Sequence, residues 1–223
     1  GICLAGGKVD LTNEKDKTSY SIGYQVGDDF KRQGIEIRQE MLLQGFKDAH
    51  GNQEPALSEE GMRQALIELQ KRVTAAQDQK NKEEAAKNLK EGQDFLIKNS
   101  QLPKVKTLPS GLQYKVLQQG SGASPNPEDQ VTVHYRGTLI NGKEFDSSYR
   151  RNQPVAFQVN QVIKGWQEAL TMMKEGAKWQ LFIPPRLAYG EGGAGSRIGP
   201  NSTLIFELEL LSIQTGEMKS TGK

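Results

Sequence analysis

Cysteine is almost missing from this 223-residue chain. Cys3 is the single one, so no disulfide can form within the chain. Histidine is scarce too. Two histidines and one cysteine are too few for a zinc site of the usual Cys/His kind, and neither a metal nor a cofactor is expected. No apolar run approaches the roughly 20 residues that a helix needs to cross a bilayer. A net charge of +2 is too small to argue for a nucleic-acid partner. The first hundred residues are mildly acidic and the rest mildly basic, which solvated surfaces explain. The charged fraction of 25% is that of an ordinary soluble protein. Length alone allows one or two domains.

The opening GICLAGG is small and apolar. It reads as the tail of a signal peptide or as a disordered terminus. Ile2 directly before Cys3 fits a lipoprotein cleavage site poorly, which argues against a lipid on Cys3.

Helical periodicity fills the first half. Ile22, Val26 and Phe30 recur every fourth residue within 16–33, and Ser19, Gly23 and Gly27 recur on another face. Glycine weakens a helix by about 1 kcal/mol, so the second stripe asks for close approach of another helix. A second short helix is expected over 38–50, with Met41, Leu42 and Phe46 apolar. A third starts at Ser58, an N-cap residue followed by Glu59 and Glu60 at the positive end of the dipole. Met62, Leu66, Leu69, Val73 and Ala76 form its packing stripe. From Gln77 to Lys90 the stripe fades, as in a solvated connector, and a helix reaching Asn99 would be about 60 Å long. Two short helices and half of a long one close a poor core. The expectation is therefore a homodimer, paired through Ile22, Gly23, Val26, Gly27, Phe30, Met41 and Met62.

After Pro103 the period changes. LQYKVL (112–117), QVTVHYRGTLI (130–140), VAFQV (155–159), AKWQLFI (177–183) and TLIFELELLSI (203–213) have strand composition, and in the last Leu204, Phe206, Leu208 and Leu210 alternate with Ile205, Glu207, Glu209 and Leu211, as in a half-buried strand. Asn141-Gly142 is a tight-turn signal between two strands. VIKGWQEALTMM (162–173) is the one clear helix. The class is α+β: helices first, then an antiparallel sheet packed on one short helix. Aromatic residues gather here: Tyr135, Phe145, Phe157, Trp166, Tyr189 and Phe206. Core packing explains such a set, and so does a pocket lined by rings. Asp146 beside Phe145 favours the pocket, because a carboxylate among rings needs a partner, and Tyr135 or Arg151 would serve. His134 and His50 read as structural, Met172-Met173 as core, and the Lys/Glu run at 80–91 as a solvated face. GEGGAG (190–195) lacks the Lys-Ser/Thr of a phosphate loop.

Five segments in this half resemble the FKBP-type peptidyl-prolyl isomerases in order and spacing. They are LPSGLQYKVLQQGSG (108–122), VTVHYRGTLINGKEFDSS (131–148), VIKGWQEAL (162–170), IPPRLAYG (183–190) and IGPNSTLIFELELL (198–211). Upstream, SYSIGYQVGDDFKRQGI (19–35) and a long helix are similar to the macrophage infectivity potentiator (Mip) group. The resemblance implies a five- or six-stranded antiparallel sheet wrapped around a short helix. It implies a proline pocket with Trp166 as its floor and Tyr135, Phe145, Val162, Ile163, Phe157 and Phe206 as walls. Ile198 would cover it, and Tyr135, Asp146 and Tyr189 would act on the substrate. Val155 stands where many members carry a bulkier aromatic, which would open one side. Five glycines between 190 and 199 are expected to make that loop mobile.

The implied activity is peptidyl-prolyl cis-trans isomerisation of unfolded or exported proteins, with chaperone-like holding. Tacrolimus and rapamycin are the implied inhibitor type, and the periplasm or outer surface of a Gram-negative bacterium is the implied location. The alternative is a non-catalytic chaperone or host-interaction factor using the same pocket. The expected division is 1–15, a disordered segment or signal remnant; 16–57, helical dimerisation domain; 58–99, long connecting helix; 100–215, isomerase domain; and 216–223, disordered tail.

Overall fold

A computed structural model describes residues 11–215 of the chain. Cys3 and the C-terminal tail lie outside the described residues. The chain divides into two compact units, 1–79 and 80–223.

The first unit is helical. α1 (Glu14–Gln33) starts at Asn13, whose Oδ1 accepts the Asp16 N–H at 2.9 Å. It stops at Gly34, which takes the left-handed conformation at φ +66°. α2 covers Gln39–His50. α3 covers Glu59–Ser100, and Ser58 Oγ accepts the Gly61 N–H at 3.1 Å, as its N-cap position requires. Gln33 at the end of α1, the following residues 34–36, and Leu69, Arg72, Val73 and Ala76 of α3 surround a shallow hollow. None of the unit's described residues is fully buried, and Ile22 and Phe46 are 61% and 65% exposed. His50 stacks on Phe46, with ring centroids 5.7 Å apart.

The second unit is built on a sheet. Its strands are β1 (Val105–Thr107), β2 (Gln113–Gln118), β3 (Gln130–Leu139), β4 (Glu144–Ser147), β5 (Val155–Gln158), β6 (Lys178–Ile183) and β7 (Leu204–Gln214). The order is β1-β2-β6-β7-β3-β4, with β5 also paired to β3, and all pairings are antiparallel. Seven segments replace the expected five or six, because β1 is only three residues long and β4 and β5 share β3 as their partner. The alternation read in the last strand holds: Leu204, Phe206, Leu208 and Leu210 are buried. α4 (Lys164–Met172) lays Trp166, Ala169 and Leu170 into the core beside them. Of the methionine pair, Met173 is core but Met172 is 41% exposed.

The run 80–91 of α3 is mostly exposed, as its composition suggests. Glu84, Asn88, Gly92, Phe95 and Asn99 nevertheless follow one face, and within the second unit that face packs against the residues of the sheet and its loops. Asn88 Nδ2 donates to Pro200 O at 2.8 Å. The buried Asn99 donates to Gln113 Oε1 at 2.8 Å, and Gln113 donates to Leu96 O at 2.9 Å. Phe95 lies against Phe182, with centroids 6.0 Å apart. Gly92 sits so close to Thr203 that a Cβ there would lie 2.3 Å from Oγ1. Apart from Phe95, polar and glycine residues carry this packing, so no apolar stripe marks it.

Candidate functional site

A cavity of about 750 Å³ opens on the sheet unit between β3, β4, β7, the start of α4 and the loop after β6. Its formation starts with a glycine. Gly137 lies near the end of β3, where a Cβ would meet Phe145 at 2.6 Å and Phe206 at 2.7 Å. The missing side chain lets both rings lie down across the strand. They meet edge to face, 5.5 Å apart at 82°.

Trp166, on the first turn of α4, is 4% exposed and edge-on to three rings. Its centroid lies 5.3 Å from Tyr135, 5.7 Å from Phe157 and 5.1 Å from Phe206. Its Nε1 is buried and has no hydrogen-bond partner among the described residues. Val162 and Ile163 enter the lining just before α4, where Gln167 Nε2 donates to Val162 O at 2.7 Å. The Trp166 N–H donates to Ile163 O at 2.9 Å. All ten residues expected at the pocket line this one cavity.

Asp146 has both expected partners rather than one. Tyr135 OH donates to its Oδ2 at 2.5 Å, Arg151 Nη1 donates to its Oδ1 at 2.5 Å, and Arg151 Nη2 donates to Tyr135 OH at 2.9 Å. The Ser147 N–H adds a second bond to Oδ1, at 2.8 Å. Burial by itself pushes the Asp146 carboxyl up. The bonds from Tyr135, Arg151 and Ser147 outweigh it and hold the group below the usual carboxylate range. Burial and the bond to Asp146 push the Tyr135 phenol up. Burial and the charge of Asp146 do the same to Tyr189. At neutral pH the rim therefore presents a fixed carboxylate and two protonated phenols.

Ser148 locks this set from behind. It is wholly buried. Its Oγ accepts the Tyr135 N–H at 2.8 Å, and its own N–H donates to Tyr135 O at 2.9 Å. His134 Nδ1 lies 2.9 Å from the same Oγ, and the imidazole stacks on Tyr149 at 4.6 Å.

The loop after β6 covers the site. Gly190, Gly193 and Gly195 take positive φ, which is what the glycines are for. The chain folds back on itself through Ala194 N–H to Ile198 O at 2.8 Å and Ile198 N–H to Ala194 O at 3.2 Å. Ile198 is thereby buried over the cavity, and Arg197 Nη1 donates across to Phe145 O at 3.1 Å. Gln161, Ala194, Gly195, Ser196 and Arg197 also line the cavity and went unread in the sequence. A turn built from Ser, Ala and Gly gives no periodic signal. Val155 is not in the lining. It pairs with Val133 and packs on the core, so its small size opens no side of the cavity. Among the described residues no cluster of His, Cys, Asp and Glu is arranged to hold a metal.

Chemically, the site can bury a small apolar ring against indole and phenyl faces. It can offer hydroxyl, guanidinium and backbone N–H donors to carbonyl oxygens at the rim.

Comparison with known proteins agrees with this geometry. The family model described as FKBP-type peptidyl-prolyl cis-trans isomerase matches residues 122–211. The model described as the domain amino terminal to it matches 15–116. The chain is 45% identical to the outer membrane protein MIP of Legionella longbeachae, covering 92% of this chain and 88% of that protein. It is 48% identical to the peptidyl-prolyl cis-trans isomerase Mip of Coxiella burnetii, over 92% and 89%. The crystal structure of FkpA from Escherichia coli superposes with a TM-score of 0.73 at 37% identity, covering 92% of this chain and 99% of that one.

Proposed function

The chain belongs to the FKBP-type peptidyl-prolyl cis-trans isomerases, and from that premise we propose how its cavity works on an X-Pro bond. Rotation about the amide is slow because twisting it costs about 18–20 kcal/mol of resonance. No bond is made or broken, so no nucleophile is needed. A catalyst must fit the twisted amide better than either planar isomer.

In our reading the proline ring enters the aromatic box and rests on Trp166, between Tyr135, Phe157 and Phe206. Phe145, Val162, Ile163 and Ile198 exclude water around it. Planar amide resonance separates charge, so a less polar surrounding lowers the barrier to twisting. Tyr189 and the Ile163 N–H, which has no acceptor among the described residues, hold the substrate carbonyls. Asp146 acts electrostatically and organises the site. It fixes Tyr135 and Arg151 and sets the field over the rotating carbonyl.

The observation that carries this reading is Trp166 ringed edge-on by three aromatics inside one cavity. The test is cis-to-trans isomerisation of a Leu-Pro or Phe-Pro peptide, with and without tacrolimus. Acceleration abolished by the drug is expected. No acceleration by folded protein would leave the cavity a holding site.

We also propose that the helical unit, residues 16–57 with the start of α3, pairs with a second copy through Ile22, Gly23, Val26, Gly27, Phe30, Met41 and Met62. The support is a helical unit with no buried residue among those described and with large exposed apolar side chains. Two pockets on one dimer would engage one unfolded client with raised avidity, which gives chaperone-like holding beside catalysis. The relative from Legionella longbeachae is called an outer membrane protein. We accordingly propose the bacterial envelope as the location, with exported, proline-containing polypeptides as clients. No helix among the described residues is long and apolar enough to cross a membrane.

A further inference from the structure

We propose that Arg197 makes the cavity selective for proline segments carrying a carboxylate within two residues of the proline. The inference rests on the reading that this cavity holds the X-Pro unit.

Two side chains in the lining are charged at neutral pH, Asp146 and Arg197. They differ in what faces them. Asp146 is neutralised by Arg151 at 2.5 Å, so that pair adds no net charge. Arg197 donates through Nη1 to a neutral carbonyl, Phe145 O, and no ion pair reaches it among the described residues. Its remaining N–H groups are not engaged by any carboxylate. The neighbouring edge leans the same way. Glu144, next to Phe145 on β4, is shared by Arg136 at 2.9 Å and Arg150 at 3.6 Å, one acid between two bases. Within the lining itself, Arg197 is therefore the charge that no carboxylate balances.

That charge is also held in place. Arg197 precedes the buried Ile198 in the turn closed by the Ala194–Ile198 bridge, and the bond to Phe145 O fixes the guanidinium end. A pre-positioned guanidinium loses less freedom on binding a carboxylate than a free one does, and its planar fork matches the carboxylate geometry. A solvated pair of this kind gives about a two- to fivefold preference.

The test is a peptide series with Leu kept before the proline and Glu, Gln or Lys placed two residues before it or directly after it. For the wild-type chain, kcat/KM is expected to fall in the order Glu, Gln, Lys at one or both positions. The spread should be about two- to fivefold and should close at 1 M salt, where the screening length is about 3 Å. Arg197→Gln should collapse the Glu-to-Lys ratio towards one, and Arg197→Lys should keep it above one. No spread in the wild type, a spread that ignores salt, or an unchanged ratio in Arg197→Gln would overturn the proposal. Failure of the wild type to turn over the Gln peptide would instead strike the reading of the cavity itself.

Discussion

Replacing Gly137 by alanine should damage the catalytic site more than the fold. The added methyl would sit 2.6 Å from Phe145 and 2.7 Å from Phe206, against an ordinary carbon–carbon contact of about 3.5–4.0 Å. One or both rings must move by about an ångström. Both are nearly buried, at 7% and 4% exposure, and they hold each other edge to face. Overpacking of this kind costs about 1–3 kcal/mol. Alanine recovers about 0.5–1 kcal/mol of that by stiffening a strand glycine. The net is at most about 2.5 kcal/mol, or a Tm lower by no more than about 10 °C for a domain of this size. The rings cannot retreat into β3, so they move into the cavity that they line. Urea unfolding followed by Trp fluorescence reports the stability. Turnover of a Leu-Pro peptide, at a temperature where the variant is fully folded, reports the site. The expected result is at least a tenfold loss of kcat/KM beside that modest destabilisation. Full activity with intact tacrolimus binding would show that the glycine does not shape the cavity, and the argument from close approach would fail.

Further tests bear on other parts of the chain. Asp146→Asn removes the charge that orders Tyr135 and Arg151, and a hydrogen-bond set to a charged group is worth about 1.5–3 kcal/mol. Turnover of a neutral Leu-Pro peptide should fall about tenfold or more. Because the Asp146 carboxyl is held below its unfolded value of about 3.9, its stabilising effect is complete above that pH and is lost as pH falls through the lower folded value. Activity should thus be flat from pH 5 to 8, and a carboxylate-like step in that range, absent in Asp146→Asn, would make Asp146 an acid–base group instead. Gly92→Ala gains about 1 kcal/mol of helix propensity but drives a methyl to 2.3 Å from Thr203 Oγ1. It should lower stability, and relief by Thr203→Ala in the same chain would locate the cause. Val26→Glu should shift the sedimentation of the full chain from dimer to monomer. A wild type that sediments as a monomer at micromolar concentration would remove the dimer proposal.

Residues that announce themselves by type and spacing could be read from the sequence. The alternation of Leu204, Phe206, Leu208 and Leu210 gave β7 its inward face. Asn141-Gly142 gave the turn between β3 and β4, where Gly142 takes φ +84°. Asp146 stood out because a carboxylate between Phe145 and buried strands needs partners, and it found Tyr135 and Arg151 together. The remainder was hidden for physical reasons. β1 is a three-residue strand, too short for any period to register. The packed face of α3 is made by Asn88, Gly92 and Asn99, whose bonds to Pro200 and Gln113 look in sequence like solvated polar residues. Val155 shows the opposite error, since a small residue near the aromatics turned out to belong to the core beside them. Arg197 and its neighbours reach the cavity only because three glycines turn the loop, and such a turn is specified by backbone angles rather than by side-chain pattern.

The 42-residue helix α3 belongs to both compact units, and the division between Gln79 and Lys80 falls inside it. A helix cut at any point leaves four N–H groups and four carbonyls without partners on the two new ends. Neither unit can melt up to that division without creating such an end in the backbone ladder of the other. The two halves thus share cooperativity through the main chain itself, whatever their side chains touch. In hydrogen exchange, the amides around residues 76–84 are where that shared ladder reads out. The amides of residues 80–83 bond to the carbonyls of 76–79 across the division, so their protection follows the less stable unit and is lost when either one opens.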